Sequence, residues 1–179
     1  RGDDRGILLF DADNDNDLDL YISTGGFIYA QGDSAYYDFL YINDGNGKFT
    51  QAKDAIPFNG TSKFCVRAAD YDRDGDLDLF IAGRVDPERY PKPVSSFLYR
   101  NDTKGAAVKF TDVTKELAPG LENLGMVCDA IFSDYDNDGW IDLVLAGEWM
   151  PIVMMHNDKG RFNNQTNKSG IQTRTGLWT

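Results

Sequence analysis

The chain has 179 residues, and its 29 acidic and 18 basic side chains give a formal net charge of −11. This balance argues against nucleic-acid binding, because no excess of basic groups is available to displace counterions from phosphates. A hydrophobic fraction of 41% is enough for a folded core, yet no apolar run approaches the roughly 18 residues of a membrane-spanning helix. We therefore expect a folded domain or part of one, with no transmembrane segment.

The acidity is uneven, because aspartate supplies 25 of the 29 acidic residues. Aspartate is a poor helix former that favours turns and metal-binding loops. The excess therefore indicates sites built from oxygen ligands rather than solvated helix faces.

A nine-residue pattern rich in aspartate occurs three times, at 11–19, 70–78 and 134–142. Each copy leads into an apolar stretch and is followed later by an Asn-Asp pair, and then by a basic residue and Phe. Such regular recurrence is typical of repeat architectures. It predicts three structural units at about 6–58, 63–120 and 126–170, and residues 176–179 look like the start of a fourth.

Each unit contains four short apolar segments separated by Gly, Asn, Asp or Pro, which predict strands. The predicted strands are 7–10, 18–23, 39–42 and 48–51, then 64–69, 77–82, 96–100 and 108–112, and finally 127–132, 141–146, 152–156 and 161–163. Helical periodicity is scarce, with at most one turn at 114–117. Repeats of about 60 residues with four strands each predict an all-β fold, a β-propeller segment of three four-stranded antiparallel blades. Because propellers close with about 4 to 8 blades, we expect a larger propeller and open apolar blade faces capable of self-association.

The aspartate loop has a specific chemistry. Carboxylates at positions 1, 3, 5 and 9 converge if the chain turns sharply at position 6, and the carbonyl of position 7 completes a shell of hard oxygens. Position 6 is Asn16, Gly75 or Gly139, which tolerate positive φ. The apolar residue at position 8 is expected to face the core and pin the loop to the next strand.

Four carboxylates without His or Cys suit Ca²⁺ best, with Mg²⁺ less suitable because of its stricter geometry. We predict three calcium sites, one per loop. Their residues are Asp11, Asp13, Asp15, Asp17 and Asp19; Asp70, Asp72, Asp74, Asp76 and Asp78; and Asp134, Asp136, Asp138, Trp140 and Asp142. The loops do not match an EF-hand, which requires a bidentate Glu at position 12. This chain has Ile22, Ile81 and Leu145 at that position.

The three loops with their following strands resemble FG-GAP or VCBS-type repeats, which form the blades of integrin-α-like propellers. The Phe-Gly and Gly-Ala-Pro sequences that named the family are not clearly present, so the bacterial VCBS branch is the closer match. The resemblance implies a propeller of about seven blades, with calcium in the loop between the first two strands of each blade. It places these loops on the face opposite the usual ligand face.

The connections between the second and third strands share that opposite face and vary most in length. They contain aromatic side chains beside polar groups, a combination that suits sugar stacking or a protein hot spot. An alternative is that these rings only pack the loops against the blade rims. The ligand-face candidates are Tyr29, Tyr36, Arg84, Arg89, Tyr90 and Trp149.

These observations favour a calcium-stabilised binding module that recognises a glycan or a protein. Weak calcium sites suit an extracellular, cell-surface or periplasmic setting, where calcium reaches millimolar concentrations. The alternatives are part of a secreted polysaccharide-degrading enzyme, either lyase or hydrolase, and a purely structural spacer. The single histidine, His156, is expected to be structural, so few acid–base options exist within the chain. No direct bridge is expected between Cys65 and Cys128.

Overall fold

The structure is a computed structural model and describes residues 2–105 and 107–171. These residues form three antiparallel sheets of four strands each. The first sheet holds β1 (Asp3–Phe10), β2 (Asp19–Gly25), β3 (Phe39–Asn43) and β4 (Phe49–Gln51). The second holds β5 (Ser62–Ala69), β6 (Asp78–Val85), β7 (Phe97–Asn101) and β8 (Phe110–Asp112). The third holds β9 (Met126–Ser133), β10 (Asp142–Glu148), β11 (Val153–Asp158) and β12 (Arg161–Asn164).

Helical structure in the described residues is limited to single turns. The α-helices are α1 (Thr114–Leu117), after β8, and α2 (Thr166–Ser169), after β12; the 3-10 turns are Ser34–Tyr36 and Pro119–Leu121. None of the described helices is long and apolar enough to cross a membrane. The predicted strands and the turn at 114–117 are confirmed, with strand ends displaced by a few residues.

Each sheet is a meander in which strands pair in chain order. The first two strands of each sheet close at equivalent pairs, Phe10 with Asp19, Ala69 with Asp78, and Ser133 with Asp142. The aspartate loop therefore spans the turn of this hairpin in every sheet, and its ninth residue is the first residue of the second strand.

The hydrophobic core lies between successive sheets, and the residues of β6 contribute to it on both faces of the second sheet. Leu79 and Ile81 pack in the cluster shared with the first sheet, whereas Phe80 and Ala82 pack in the cluster shared with the third. Alternate residues of a strand point to opposite faces, so β6 is buried on both sides. Sheets stacked face to face in this way are propeller-like blades.

The first strands of the second and third sheets, β5 and β9, lie next to each other. Arg67 Nε of β5 donates to the Ala130 carbonyl of β9 at 2.9 Å. On the outward faces, Ile7 of β1 and Ile131 of β9 are exposed. Self-association through these faces, a larger propeller and the unit boundaries stay predictions. The fourth unit predicted at 176–179 lies outside the described residues. Cys65 and Cys128 are free thiols.

Candidate metal-binding loops and the opposite face

The three aspartate loops, called loop 1 (residues 11–19), loop 2 (70–78) and loop 3 (134–142), lie next to one another. The Asn14 amide donates to the Asp76 carboxylate, which joins loops 1 and 2. The Arg73 guanidinium lies 4.3 Å from the ring centre of Trp140, which joins loops 2 and 3. The hairpin turns of the three sheets therefore form one acidic face, as the sequence predicted.

Positions 4 and 6 of every loop adopt left-handed backbone, with φ between 60° and 97°. The sharp turn expected at position 6 is confirmed, but the second left-handed residue at position 4 was not anticipated. Asparagine tolerates this conformation better than most residues, so its presence at position 4 in two loops was an available signal. The residues concerned are Asn14, Asn16, Arg73, Gly75, Asn137 and Gly139.

Backbone hydrogen bonds orient the carboxylates of each loop. In loop 2, Asp70 Oδ2 accepts from the Gly75 amide at 3.2 Å, and Asp74 Oδ1 accepts from the Asp76 amide at 3.0 Å. The same two bonds recur in loops 1 and 3. At least one oxygen of each of these carboxylates is thus held by the loop, and in loop 1 the second oxygen of Asp11 also accepts, from the Asp15 amide at 3.2 Å.

The aspartate at position 9 is fully buried in every loop, as Asp19, Asp78 and Asp142. Its Oδ1 accepts from the backbone amide of the asparagine in the Asn-Asp pair at 2.8–2.9 Å, and its Oδ2 accepts from the amide of position 2. Position 9 therefore ties the loop to the third strand. The expectation that position 8 does this is wrong for Leu18, which is 52% exposed.

The asparagine of the Asn-Asp pair also links neighbouring blades. Asn101 Nδ2 donates to the Ala12 carbonyl of loop 1 at 3.1 Å, and Asn157 Nδ2 donates to the Tyr71 carbonyl of loop 2 at 2.8 Å. Because the asparagines of the second and third units each bond the loop of the preceding blade, the Asn-Asp pairs of these two units connect neighbouring blades.

Ligand atoms gather in each loop. Oxygens of three carboxylates lie within 4.8 Å of one another in each of three groups, Asp11, Asp13 and Asp15; Asp70, Asp72 and Asp78; and Asp134, Asp136 and Asp138. A further group joins Asp136 and Asp142 to His156, which sequence reasoning had treated as structural. Asp17, Asp19, Asp74, Asp76 and Trp140 lie in the same loops but outside these close groups.

Some of these oxygens lack a partner. Asp13 Oδ1, Asp17 Oδ1, Asp70 Oδ1 and Asp134 Oδ1 are buried and accept no hydrogen bond from any described residue. Leaving a buried carboxylate oxygen without a donor is costly, and a cation would supply the missing partner. All three loops therefore fit a hard cation, with oxygen ligands of the kind that Ca²⁺ prefers.

Burial and mutual repulsion raise the pKa of several of these carboxyl groups. Burial is the main cause at Asp78, whose pKa rises to about 8, and the charges of Asp72 and Asp74 contribute. The pKa is also raised, mainly by burial, at Asp13, Asp17, Asp19, Asp72 and Asp142.

These shifts predict that the metal-free protein loses stability as the pH rises from about 5.5 to 8. The native state holds the Asp78 proton more tightly than the unfolded chain, in which the pKa of aspartate is about 3.9. The native state therefore binds more protons in this window, and the free energy of unfolding falls with pH. Calcium needs deprotonated carboxylates, so its stabilising effect should grow over the same window.

The measurement is the melting temperature of dialysed, metal-free protein at pH 5.5 and pH 8, with and without calcium. Asp102 and Glu148, whose pKa values are lowered by hydrogen bonds from Arg100 and Tyr90 respectively, stay ionised throughout this window and do not disturb the comparison. An equal calcium effect at both pH values would contradict the prediction.

On the opposite face, three of the ligand-face candidates meet around one carboxylate. The Arg84 guanidinium and the Tyr90 hydroxyl donate to the two oxygens of Glu148, the latter at 2.8 Å, and Trp149 Nε1 donates to the Tyr90 hydroxyl at 2.8 Å. We call Arg84, Tyr90, Glu148 and Trp149 the Glu148 cluster. It spans the second and third sheets, and Tyr90 and Trp149 are 51% and 53% exposed.

The other candidates are placed differently. Arg89 Nε pairs with Asp86 at 2.8 Å, and its side chain stays largely exposed. Tyr36 is fully buried and donates to the Tyr29 carbonyl at 2.7 Å, while the two rings pack edge to face. In this first connection the Tyr29 and Tyr36 rings therefore pack against each other, whereas Phe27 is 59% exposed.

The fold and the loops together define a propeller-like repeat protein with acidic turns on one face. Residues 11–81 match the family model described as FG-GAP-like repeat. This stretch begins at Asp11, contains loops 1 and 2 and ends in β6, and its similarity to an FG-GAP-like repeat indicates a binding or repeat module. The match gives no support to the VCBS branch in particular. No curated protein matches the chain.

Proposed function

We propose that the chain is a calcium-stabilised binding module that presents the Glu148 cluster to a glycan or a protein. The observation that carries the proposal is the opposition of two surfaces on one set of sheets. One surface holds three loops with unpartnered buried carboxylate oxygens, and the other holds a hydrogen-bonded group of exposed aromatic rings. Weak calcium sites suit an extracellular, cell-surface or periplasmic location.

In each loop, the carboxylates of positions 1, 3, 5 and 9 and the carbonyl of position 7 would hold the ion. The bound calcium supplies positive charge that offsets the repulsion among them. The position 9 aspartate connects each loop to its own third strand, and the asparagines of the second and third units also bond the loop of the preceding blade. A loop that is ordered by bound calcium therefore also supports the packing of the blades.

The Glu148 cluster is preorganised for contact. The hydroxyl of Tyr90 and the indole nitrogen of Trp149 are both engaged within the cluster, which restrains the two rings. Restraint before binding lowers the entropy cost of association. Exposed aromatic rings with polar edges are suited to sugar stacking and to protein hot spots.

Replacing Tyr90 and Trp149 by Ala should reduce ligand binding by about tenfold or more, since truncated aromatic hot spots cost roughly 2 kcal/mol or more. The probes are an array of immobilised glycans and, for each glycan that binds, titration with the soluble oligosaccharide. Calcium content and melting temperature should stay nearly unchanged, because both side chains lie far from the loops.

The matched control is Phe49→Ala, which removes an exposed aromatic ring. Phe49 is the strand partner of Asn43, at the loop 1 end of the first sheet. Binding that survives Tyr90→Ala and Trp149→Ala, yet disappears in a folded Asp72→Ala or Asp136→Ala protein, would place recognition on the calcium face instead.

A further inference from the structure

Loop 3 differs from the other loops because an imidazole lies against it. His156 precedes the asparagine of its Asn-Asp pair, where the first two units have Ile42 and Arg100. Its Nδ1 lies 3.2 Å from Asp136 Oδ2 and 3.2 Å from Asp142 Oδ1. One nitrogen and two carboxylate oxygens therefore share a small volume at the junction of loop 3 and β11.

The imidazole nitrogen has no hydrogen-bond partner. Nδ1 of His156 is buried and forms no hydrogen bond with any described residue, although the ring as a whole is 18% exposed. Tyr135 packs beside the ring with centroids 6.5 Å apart, and the Asp142 side chain is wholly buried. A buried ring nitrogen 3.2 Å from two carboxylate oxygens, with a hydrogen bond to neither, fits the arrangement of co-ligands around an ion.

We propose that loop 3 binds a transition-metal dication, with zinc as the best fit, through His156 Nδ1 and the carboxylates of Asp136 and Asp142. This inference rests on the proposed function only in taking the loops as cation sites. Neighbouring ligands about 2.1 Å from one ion lie about 3.0–3.4 Å apart in octahedral or tetrahedral geometry, which brackets the two observed separations. Imidazole also favours zinc and related metals, whereas calcium favours oxygen ligands alone.

The occupancy of loop 3 follows from its shared ligand. Asp136 belongs both to the group with His156 and to the all-carboxylate group of the same loop. Zinc therefore replaces calcium in loop 3 rather than adding to it. Loops 1 and 2, whose close groups contain carboxylates only, keep calcium.

The test measures both metals in the same sample of the full chain. Metal-free protein is equilibrated with about 1 mM calcium, the extracellular range, and one equivalent of zinc, then analysed for bound metal. Wild type should hold one zinc and two calcium ions, and His156→Ile, which introduces the residue of the first unit, should hold three calcium ions and no zinc. The matched control Arg100→Ile makes the same replacement at the equivalent position of loop 2 and should keep the zinc.

A second readout uses the wild-type protein alone and does not depend on a variant that folds. His156 is the only histidine, so its imidazole proton signals need no assignment by mutagenesis. One equivalent of zinc at constant pH should move these signals, whereas calcium alone should not. Cobalt bound in place of zinc should show visible absorption bands that His156→Ile lacks.

Three calcium ions and no zinc in wild type, with imidazole proton signals that zinc does not move, would overturn the proposal. His156 would then lie beside the two carboxylates without binding a metal, and the calcium module would stand. Equal zinc binding by wild type and His156→Ile would also overturn it. Binding of neither metal would refute the calcium proposal together with this one.

Discussion

Removing calcium should lower the melting temperature of this chain by on the order of 10 °C. At a calcium concentration ten times the dissociation constant, each ion contributes about 1.4 kcal/mol, and three ions contribute about 4 kcal/mol. The melting temperature of a domain of this size shifts by about 2–4 °C for each kcal/mol of change in the free energy of unfolding. The physical reason lies in the loops, which hold 14 of the 29 acidic residues, so that three ions would change the formal charge from −11 to −5.

The measurement is thermal unfolding with calcium, with a chelator, and after calcium is restored, together with elemental analysis. Asp72→Asn should remove one calcium ion and about a third of the calcium-dependent stabilisation, because Asp72 belongs to the close group of loop 2. Asp54→Asn is the matched control, since Asp54 is exposed, lies outside the loops and has a φ of 62° that asparagine tolerates. An unchanged melting temperature with chelator and no bound calcium would refute the assignment.

The loops and strands were predictable because both are local patterns. Apolar segments with turn residues between them identify strands, and three copies of one loop identify a repeat. The structural role of the aspartate at position 9 was missed, because the sequence analysis expected the apolar residue at position 8 to anchor the loop to the sheet. A buried aspartate that accepts two backbone hydrogen bonds is the better anchor, since its partners sit in the loop itself and in the third strand.

Contacts between blades were the features that the sequence could not supply. Tyr90 and Trp149 were recognised singly as surface aromatics, but their meeting at Glu148 depends on how the second sheet stacks on the third. His156 lies against loop 3 for a different reason, because β11 pairs with β10 within the third sheet and brings it there. Residues far apart in the sequence cannot be recognised as neighbours from the sequence pattern. A repeat pattern identifies only the features that occur in every unit.

Lys63 is the strongest example, and it predicts the second large effect. Its side chain is wholly buried in β5, and its Nζ lies 3.2 Å from Asp38 Oδ1 and donates to the Tyr36 carbonyl at 2.6 Å. Asp38 in turn accepts from the Tyr21 hydroxyl at 2.7 Å. A lysine on a strand is ordinarily expected at the surface, and its partner here lies 25 residues earlier in the chain, immediately before β3 of the first sheet.

Burial opposes the charged form of both groups. It lowers the pKa of Lys63 and raises that of Asp38, and the attraction between the two charges counters both shifts. The pair is therefore held by mutual compensation and by the hydrogen bonds around it, so that removing one partner leaves the other buried without its counter-charge.

Replacing Lys63 by Met should reduce the free energy of unfolding by about 3–5 kcal/mol, the usual cost of breaking a buried ion pair. The double variant Lys63→Met with Asp38→Asn should lose less than the sum of the single losses, because no unpaired charge remains. The measurement is urea unfolding in saturating calcium, so that metal binding does not vary between samples.

The matched control is Arg5→Met, which breaks the exposed pair between Arg5 and Asp3 at 2.6 Å. Exposed pairs contribute at most about 1 kcal/mol, so this variant should stay close to wild type. If Lys63→Met costs no more than Arg5→Met, Lys63 does not anchor the first blade to the second, and the apolar cluster between these sheets and the remaining hydrogen bonds hold them together.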